Sequence, residues 1–432
     1  MFKNTIWLFS ANLLRLFGGF IVGIWLARYL GAEDFGLLNY GLSLFIIFDS
    51  LASFGMKGVL TKEFVNFNHR HNEIFTISFV IRIVTSLFIV LLGAGFLAYL
   101  NDFKYLIAFI ILLKLLFNPF KVLESYYEAL VKSKFYAIAL IVSYSLRLLA
   151  TITAINLNMD ILIFAYILVL EDVILVIILA YYFIIQGGRF KRLRKAFTIS
   201  LARKLMNQSY PLIISSLGAT LYLKIDQVMV VELVNEAEGG IYAAASRFSS
   251  IFNFIPVVII SSIFPLIIRY KKENSYSYKE LLKRLNAFFF IVSGLMALFI
   301  SLFSKNIILI TYGQNYLSAA GIISIHIWTI FFVFSQQILS KWLIVEELTQ
   351  ISMLRHLLGL VVNLVLNFIL IPSYGGLGAA TASLVSFFIS TVGFSFFVSK
   401  TREYSYLYLQ SFKFVGIKSI IYVFNLFMRD DR

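Results

Sequence analysis

Apolar runs of roughly 18 to 25 residues recur along this chain from near Thr5 to just before Lys400, each long enough to cross a hydrocarbon core about 30 Å thick. In lipid every backbone polar group must be satisfied internally, so spanning segments are helices or closed barrels. A barrel would show segments of about ten residues alternating in polarity, whereas these runs are continuously apolar. The expected class is therefore an all-α polytopic membrane protein. Hydrophobic residues are 60% of the chain and charged residues 14%, against about 45–50% and about 25% in soluble domains, more apolar surface than a soluble fold could bury. Spans are expected near residues 5–27, 36–56, 76–100, 104–120, 135–155, 161–185, 208–232, 241–268, 285–310, 320–345, 352–371 and 377–399, twelve in all. The first reads as a retained span, because it lacks a small-residue cleavage site followed by a soluble domain.

The connections alternate in charge. One set carries Lys3, then Lys57, Lys62 and Arg70, then Lys121, Lys132 and Lys134, then the run Arg189, Lys191, Arg192, Arg194, Lys195, Arg203 and Lys204. It continues with Arg269, Lys271, Lys272, Lys279, Lys283, Arg284, Lys341 and Arg355, and the tail adds Lys400, Arg402, Lys413, Lys418, Arg429 and Arg432. The other set holds only Arg28, Lys104 and Lys305. Basic loops stay in the cytoplasm, which places both termini there. The net charge of +15 is then a matter of topology and anionic lipid, and nucleic acid is not an expected partner.

The basic run also divides the chain into two expected six-helix lobes, residues 1–195 and 196–400, with 401–432 as a cytoplasmic tail. Six is even, so a repeat would be parallel. The acidic hairpins GAEDFG (Gly31 to Gly36) and NEAEG (Asn235 to Gly239) recur at corresponding places. Phe412 to Met428 is apolar but short and contains Lys413 and Lys418, which favours an interfacial amphipathic helix over a thirteenth span.

Charges inside spans carry the functional information, since each costs at least about 2.5 kcal/mol at the bilayer centre unless paired or hydrated. Six cations fall there, Arg15, Arg82, Lys114, Arg147, Lys224 and Arg247, with Asp49, Glu171, Asp172 and Asp226 as candidate acids. Counted from the topology, Arg82 and Lys114 fall in the cytoplasmic half, Arg15 and Arg147 nearer the middle, and Lys224 and Arg247 in the outer half. Such a ladder would hand an anionic group from one cation to the next, and Arg matches phosphate oxygens bidentately. The alternative is that Arg82 and Lys114 snorkel while the others pair with the acids. Lys224 and Asp226 are two residues apart and diverge on a helix. Asp226 or Asp49 would either carry a proton or sodium ion or serve as a static counter-ion. Tyr40, Tyr126, Tyr127 and Tyr144 are candidates to line a cavity and stack on sugar rings, beside the ordinary role of tyrosine as an interface anchor.

Enzyme chemistry has no visible carrier. There is no cysteine, which excludes thiolate sites. His69 and His71 lack further ligands for a metal, His326 and His356 are isolated, and no nucleophile–base constellation is present. Gly376 to Thr381 (GLGAAT) joins two apolar spans with no strand before it, so it reads as a hairpin and not as a dinucleotide loop; no cofactor is expected. Gly19 and Gly23 have the spacing of a helix-packing motif.

The stretch Ala27 to Ser43, ARYLGAEDFGLLNYGLS, resembles the first hairpin of bacterial polysaccharide flippases, the Wzx-type branch of the multidrug, oligosaccharidyl-lipid and polysaccharide exporter superfamily. Asn363 to Ala380, NLVLNFILIPSYGGLGAA, resembles their eleventh-to-twelfth-helix hairpin. The resemblance implies a two-lobed bundle in the bacterial plasma membrane that carries undecaprenyl-pyrophosphate-linked oligosaccharide outward for O-antigen, capsule or exopolysaccharide synthesis. It also implies functional arginines in the first and eighth helices, where Arg15 and Arg247 stand, and a polysaccharide polymerase and chain-length regulator as partners. A drug or cation antiporter of the same fold and a peptidoglycan-precursor flippase are the competing expectations. The first would favour an acidic, aromatic cavity.

Overall fold

The structure, a computed structural model, describes residues 2–67, 70–100, 102–186 and 198–429. His69, Arg189, Lys191, Arg192, Arg194, Lys195 and Arg432 lie outside them. Every described element is helical. Among the described residues, ten helices are long and apolar enough to cross a membrane. Two far exceed the roughly 20 residues that one crossing needs: Ile6–Asn66 has 61 residues and Gln350–Phe397 has 48. The first is broken at Gly31 (φ 77°) and the second at Gly375 (φ 54°), a conformation that costs a residue with a Cβ and suits glycine. Each is long enough for two passes, which would bring the ten helices to the expected twelve.

The chain separates into two compact units, Met1–Gly240 and Ile241–Arg432. The first is built from α1 (Phe2–Ala52, bent at Gly31), α2 (Lys57–Asn66), α3 (His71–Leu100), α4 (Phe103–Leu112), α5 (Val122–Ala129), α6 (Ser133–Asn156), α7 (Ile161–Ile185) and α8 (Ile199–Leu233). Asp102 caps α4 by accepting from the Lys104 amide. Between α4 and α5 the fourth span becomes a 3-10 helix over Leu113–Lys121, which contains Pro119. Proline removes a donor and clashes with the preceding turn, and such breaks persist in a membrane where side chains take up the freed backbone groups. Here the Arg82 guanidinium donates to the Asn118 carbonyl at 3.4 Å.

Two large apolar clusters account for much of this unit's interior. One gathers Leu60, Phe64, Phe75, Leu123, Tyr127, Leu140, Leu179 and Leu205. The other gathers Leu38, Phe45, Val90, Ile111, Leu115, Ala154, Phe164 and Leu168. On α3, α6 and α7 the two sets are separated by a short gap. That gap holds Arg82 on α3, Tyr144 and Arg147 on α6, and Glu171 and Asp172 on α7.

The two acidic hairpins meet within this unit. A Cβ on Gly36 would collide with the Glu236 carbonyl oxygen, and one on Gly240 would collide with the Ala32 carbonyl oxygen. The contact is reciprocal, 32 and 36 against 240 and 236, as a local twofold axis requires. Gly36→Ala is therefore expected to lower thermal stability in detergent by about 1–3 kcal/mol or more, the usual cost of overpacking. Gly95→Ala is the control, because a Cβ there meets nothing within 4 Å.

The second unit begins inside α9 (Glu236–Ser250) and continues with α10 (Phe254–Glu273), α11 (Ser275–Thr311), α12 (Ala319–His326), α13 (Thr329–Val345) and α14 (Thr349–Phe388, bent at Gly375). After the short α15 (Phe394–Phe397) come α16 (Arg402–Ser411) and α17 (Ile417–Arg429). Asn274 caps α11 by accepting from the Tyr276 and Ser277 amides. The GLGAAT segment is part of the α14 hairpin, where a Cβ on Gly378 would touch the Leu370 carbonyl oxygen at 2.5 Å. The tail is no loose appendage. Tyr404 of α16 is buried, donates to Asn286 Oδ1 at 3.3 Å and to the Ser335 carbonyl at 3.2 Å, and packs on Trp342.

Candidate functional site

The residues between the two cores of the first unit form one polar layer. Lys114 donates to the Leu168 carbonyl at 2.7 Å and pairs with Asp172 at 2.8 Å, with Glu171 at 3.9 Å. Arg147 pairs with the same Glu171 oxygen at 2.9 Å. Asp49 accepts from Lys121 at 2.9 Å and from the Asn118 amide at 2.7 Å. The ammonium groups of Lys114 and Lys121 lie 5.3 and 5.5 Å from the centre of the Phe45 ring, within cation–π range. Arg82, 3% exposed, completes the layer beside Asn118.

Arg15 and Arg147 flank Tyr144, their guanidinium carbons 5.8 and 4.7 Å from its ring centre. The Tyr144 hydroxyl donates to the Arg15 carbonyl at 3.0 Å. Gly19, one turn further on, makes room for that hydroxyl, which a Cβ would strike. Glycine here serves close packing, as its spacing implied. Arg15 itself is exposed and, among the described residues, neither it nor Arg82 has a carboxylate within 4 Å. Five cations (Arg15, Arg82, Lys114, Lys121, Arg147) thus face three carboxylates (Asp49, Glu171, Asp172), an excess of two positive charges among these eight side chains.

This differs from a ladder of successive rungs. Lys114 and Arg147, expected at different depths, share one carboxylate oxygen. Lys114 does not snorkel, being 6% exposed and held on three sides. The ladder assumed evenly rising α-helices, but the 3-10 stretch rises about 2.0 Å per residue in place of about 1.5 Å and turns its side chains differently. Lys121, expected in a basic loop, belongs to that stretch and joins the layer through Asp49.

Of the remaining candidates, Lys224 and Asp226 lie on α8, Asp226 buried and Lys224 half-buried. Arg247 is half-buried on α9 in the second unit. Nearby on that helix, Ser249 hydrogen-bonds His326 Nδ1 at 2.5 Å, so His326 is not isolated. Tyr127 is fully buried, and Tyr126 packs edge-on against Phe64 and Phe183. Tyr40 lines an apolar cavity of about 670 Å³ bordered by Phe48, Phe88 and Phe109. At its rim Tyr40 donates to Glu232 at 2.5 Å, and Lys104 reaches Glu232 at 3.2 Å and Glu236 at 3.8 Å. Among the described residues no group of three or more His, Asp or Glu is arranged to hold a metal ion.

Solved structures share this architecture. A multidrug-resistance MATE family transporter of the MOP superfamily, inward-facing, superposes with a TM-score of 0.71 at 14% identity, over 93% of this chain and 99% of that one. The lipid II flippase MurJ, in an inward closed conformation, superposes at 0.72 and 17% identity, over 100% of this chain and 93% of that one. The chain therefore has the fold of these two proteins, and its long apolar helices make it a multi-pass membrane protein.

Residues 1–271 match the family described as polysaccharide biosynthesis protein, and residues 211–369 match the MatE family. The first match spans more than half of the chain, which belongs to the polysaccharide biosynthesis protein family. Relatives include the capsular polysaccharide biosynthesis protein CapF of Staphylococcus aureus, 23% identical over 93% of this chain and 100% of that protein. A probable low-salt glycan biosynthesis flippase of Haloferax volcanii is 26% identical over 48% of this chain and 44% of its own length. Among these, the Haloferax relative is named as a probable flippase and the two solved neighbours as a transporter and a flippase.

Proposed function

We propose that this chain is a flippase that moves undecaprenyl-pyrophosphate-linked oligosaccharide from the cytoplasmic to the outer leaflet of a bacterial plasma membrane, for O-antigen, capsule or exopolysaccharide synthesis. The observation that carries the reading is the polar layer, in which five cations face three carboxylates. A diphosphate diester brings about two negative charges, and charge-assisted hydrogen bonds to its oxygens from Arg are among the strong ones. The kinship with a capsular polysaccharide biosynthesis protein and a glycan flippase supports the same cargo class. An organic-cation cargo is disfavoured because cations exceed acids in the layer.

Arg15 and Arg147 take the diphosphate, with Tyr144 between them. Lys114 and Arg82 hold the layer's field, and Arg247 and Lys224 receive the cargo later in the cycle. Glu171, Asp172 and Asp49 act as counter-ions, since each already sits on a cation. Asp226 is the coupling candidate for a proton or sodium ion. Outward movement of two negative charges across an inside-negative membrane releases roughly 2.3 kcal/mol per charge per 100 mV, so the potential alone suffices as a drive. The two six-helix lobes, 1–195 and 196–400, rock to open the site alternately to either side. A polysaccharide polymerase and chain-length regulator take up the product.

Complementation tests the cargo. The gene should restore surface polysaccharide in a host lacking its own repeat-unit flippase. Rescue only of a host lacking its peptidoglycan-precursor flippase would replace this reading by that one. Unimpaired transport after the two lobes are locked together by introduced crosslinks would sink alternating access.

A further inference from the structure

Helix α17 presents three different faces. Ser419 and Val423 are buried. Ile417, Ile421 and Phe424, one and two turns apart on a single stripe, are 74%, 51% and 62% exposed. Lys418 and Asn425, also exposed, fall about a quarter-turn from that stripe at 3.6 residues per turn. A helix bathed in water would not carry such an apolar stripe, and one inside a bundle would not carry the polar face.

Its contacts set its depth. The Arg284 guanidinium lies 4.8 Å from the Tyr422 ring centre and 5.4 Å from that of Phe414. Phe290 stacks on Phe412 with centroids 4.5 Å apart and meets Tyr408 edge-on at 5.0 Å. On α11, Lys279, Glu280, Lys283 and Arg284 are followed by an uncharged stretch from Leu285 to Ser304. The contacts therefore fall where α11 passes from charged to apolar, the level of a membrane–water boundary. At Val415 and Gly416 the chain bends by 112° between the segments Ser399–Phe414 and Ile417–Leu426. Lys279 pairs with Glu403 and Arg284 with Glu280, whereas Lys283, Lys413 and Lys418 make no ion pair within 4 Å among the described residues.

We infer that α17 lies in the membrane interface and binds anionic phospholipid, with Ile417, Ile421 and Phe424 among the upper acyl chains and Lys283, Lys413 and Lys418 on the headgroups. A helix of this kind gains affinity from buried apolar area together with attraction to anionic lipid, and about 1 kcal/mol accrues per lysine near such a surface. The inference is independent of the cargo.

The chain contains no cysteine, so Ile421→Cys, Phe424→Cys and Asn425→Cys each carry a single fluorescent label in the purified full chain, reconstituted in nanodiscs of phosphatidylcholine with or without phosphatidylglycerol. Labels at 421 and 424 should be quenched by lipids brominated near the headgroup and be severalfold less sensitive to aqueous iodide than the label at 425. Iodide access equal at all three positions would overturn the interfacial placement, as would shielding at 421 and 424 without quenching by brominated lipid, which would mean a protein cover. Phosphatidylglycerol should deepen the shielding, and replacing Lys283, Lys413 and Lys418 by Gln should abolish that gain. Shielding indifferent to phosphatidylglycerol in the parent chain would overturn the headgroup assignment.

Discussion

Arg15→Ala is expected to slow translocation of the lipid-linked glycan by about 10- to 100-fold, the loss of a charge-assisted bond worth about 1.5–3 kcal/mol, while the protein remains at its normal level in the membrane. The side chain is exposed and has no carboxylate within 4 Å among the described residues, so its removal leaves no buried charge behind. Arg15→Lys should recover only part of the rate, because an ammonium cannot reproduce the planar fork that meets two phosphate oxygens. Glycan reaching the outer leaflet, measured against membrane protein amount, separates a transport defect from a folding one. Normal flux in Arg15→Ala would remove Arg15 from the site.

Lys114→Ala should do the opposite, lowering the amount and stability of folded protein before any transport is measured. Lys114 is 6% exposed and answers Asp172 at 2.8 Å and the Leu168 carbonyl at 2.7 Å. Removing one partner of a buried pair costs about 3–5 kcal/mol because the other charge is stranded, whereas replacing both by apolar groups is often neutral or stabilising. Lys114→Met with Asp172→Leu should therefore restore most of the thermal stability lost in Lys114→Ala. Additive losses in the double variant would mean that the two side chains are not coupled. Transport by the stable double variant then reports whether the layer's net charge or its individual members matter, since the excess of two is unchanged.

How much of this was legible before any coordinates follows from what kind of signal each residue gives. Charges interrupting apolar runs are conspicuous because lipid penalises them, so Arg82, Lys114, Arg147, Asp49, Glu171 and Asp172 stood out. The long apolar runs and the hairpins at Gly31 to Gly36 and Gly376 to Thr381 were legible in the sequence, and the second break falls one residue earlier, at Gly375. Partnerships did not follow, because Lys114 and Asp172 are brought together by the packing of separate helices. Lys121 was hidden by its place just after Pro119, where an apolar run ends although the helix continues through a 3-10 turn to Ala129. Asn118 gave no signal, being uncharged, and it orders Asp49 by a single hydrogen bond donated from its side-chain amide. The contact of Tyr40 with Glu232 depends on the register of two helices 192 residues apart in the chain. The recurring acidic hairpins were visible, but their reciprocal glycine contact is a property of three-dimensional packing.

The central claim is that the charge of the cargo's linkage is what this protein recognises. Purified protein in liposomes, given the same short oligosaccharide on polyprenyl diphosphate, polyprenyl monophosphate or an uncharged polyprenyl ether, tests it through the rate at which each becomes accessible on the opposite leaflet. The diphosphate should cross fastest and the ether slowest, with the advantage of the diphosphate largely lost in Arg15→Ala and Arg147→Ala. Equal rates for all three lipids in the parent chain would contradict the account.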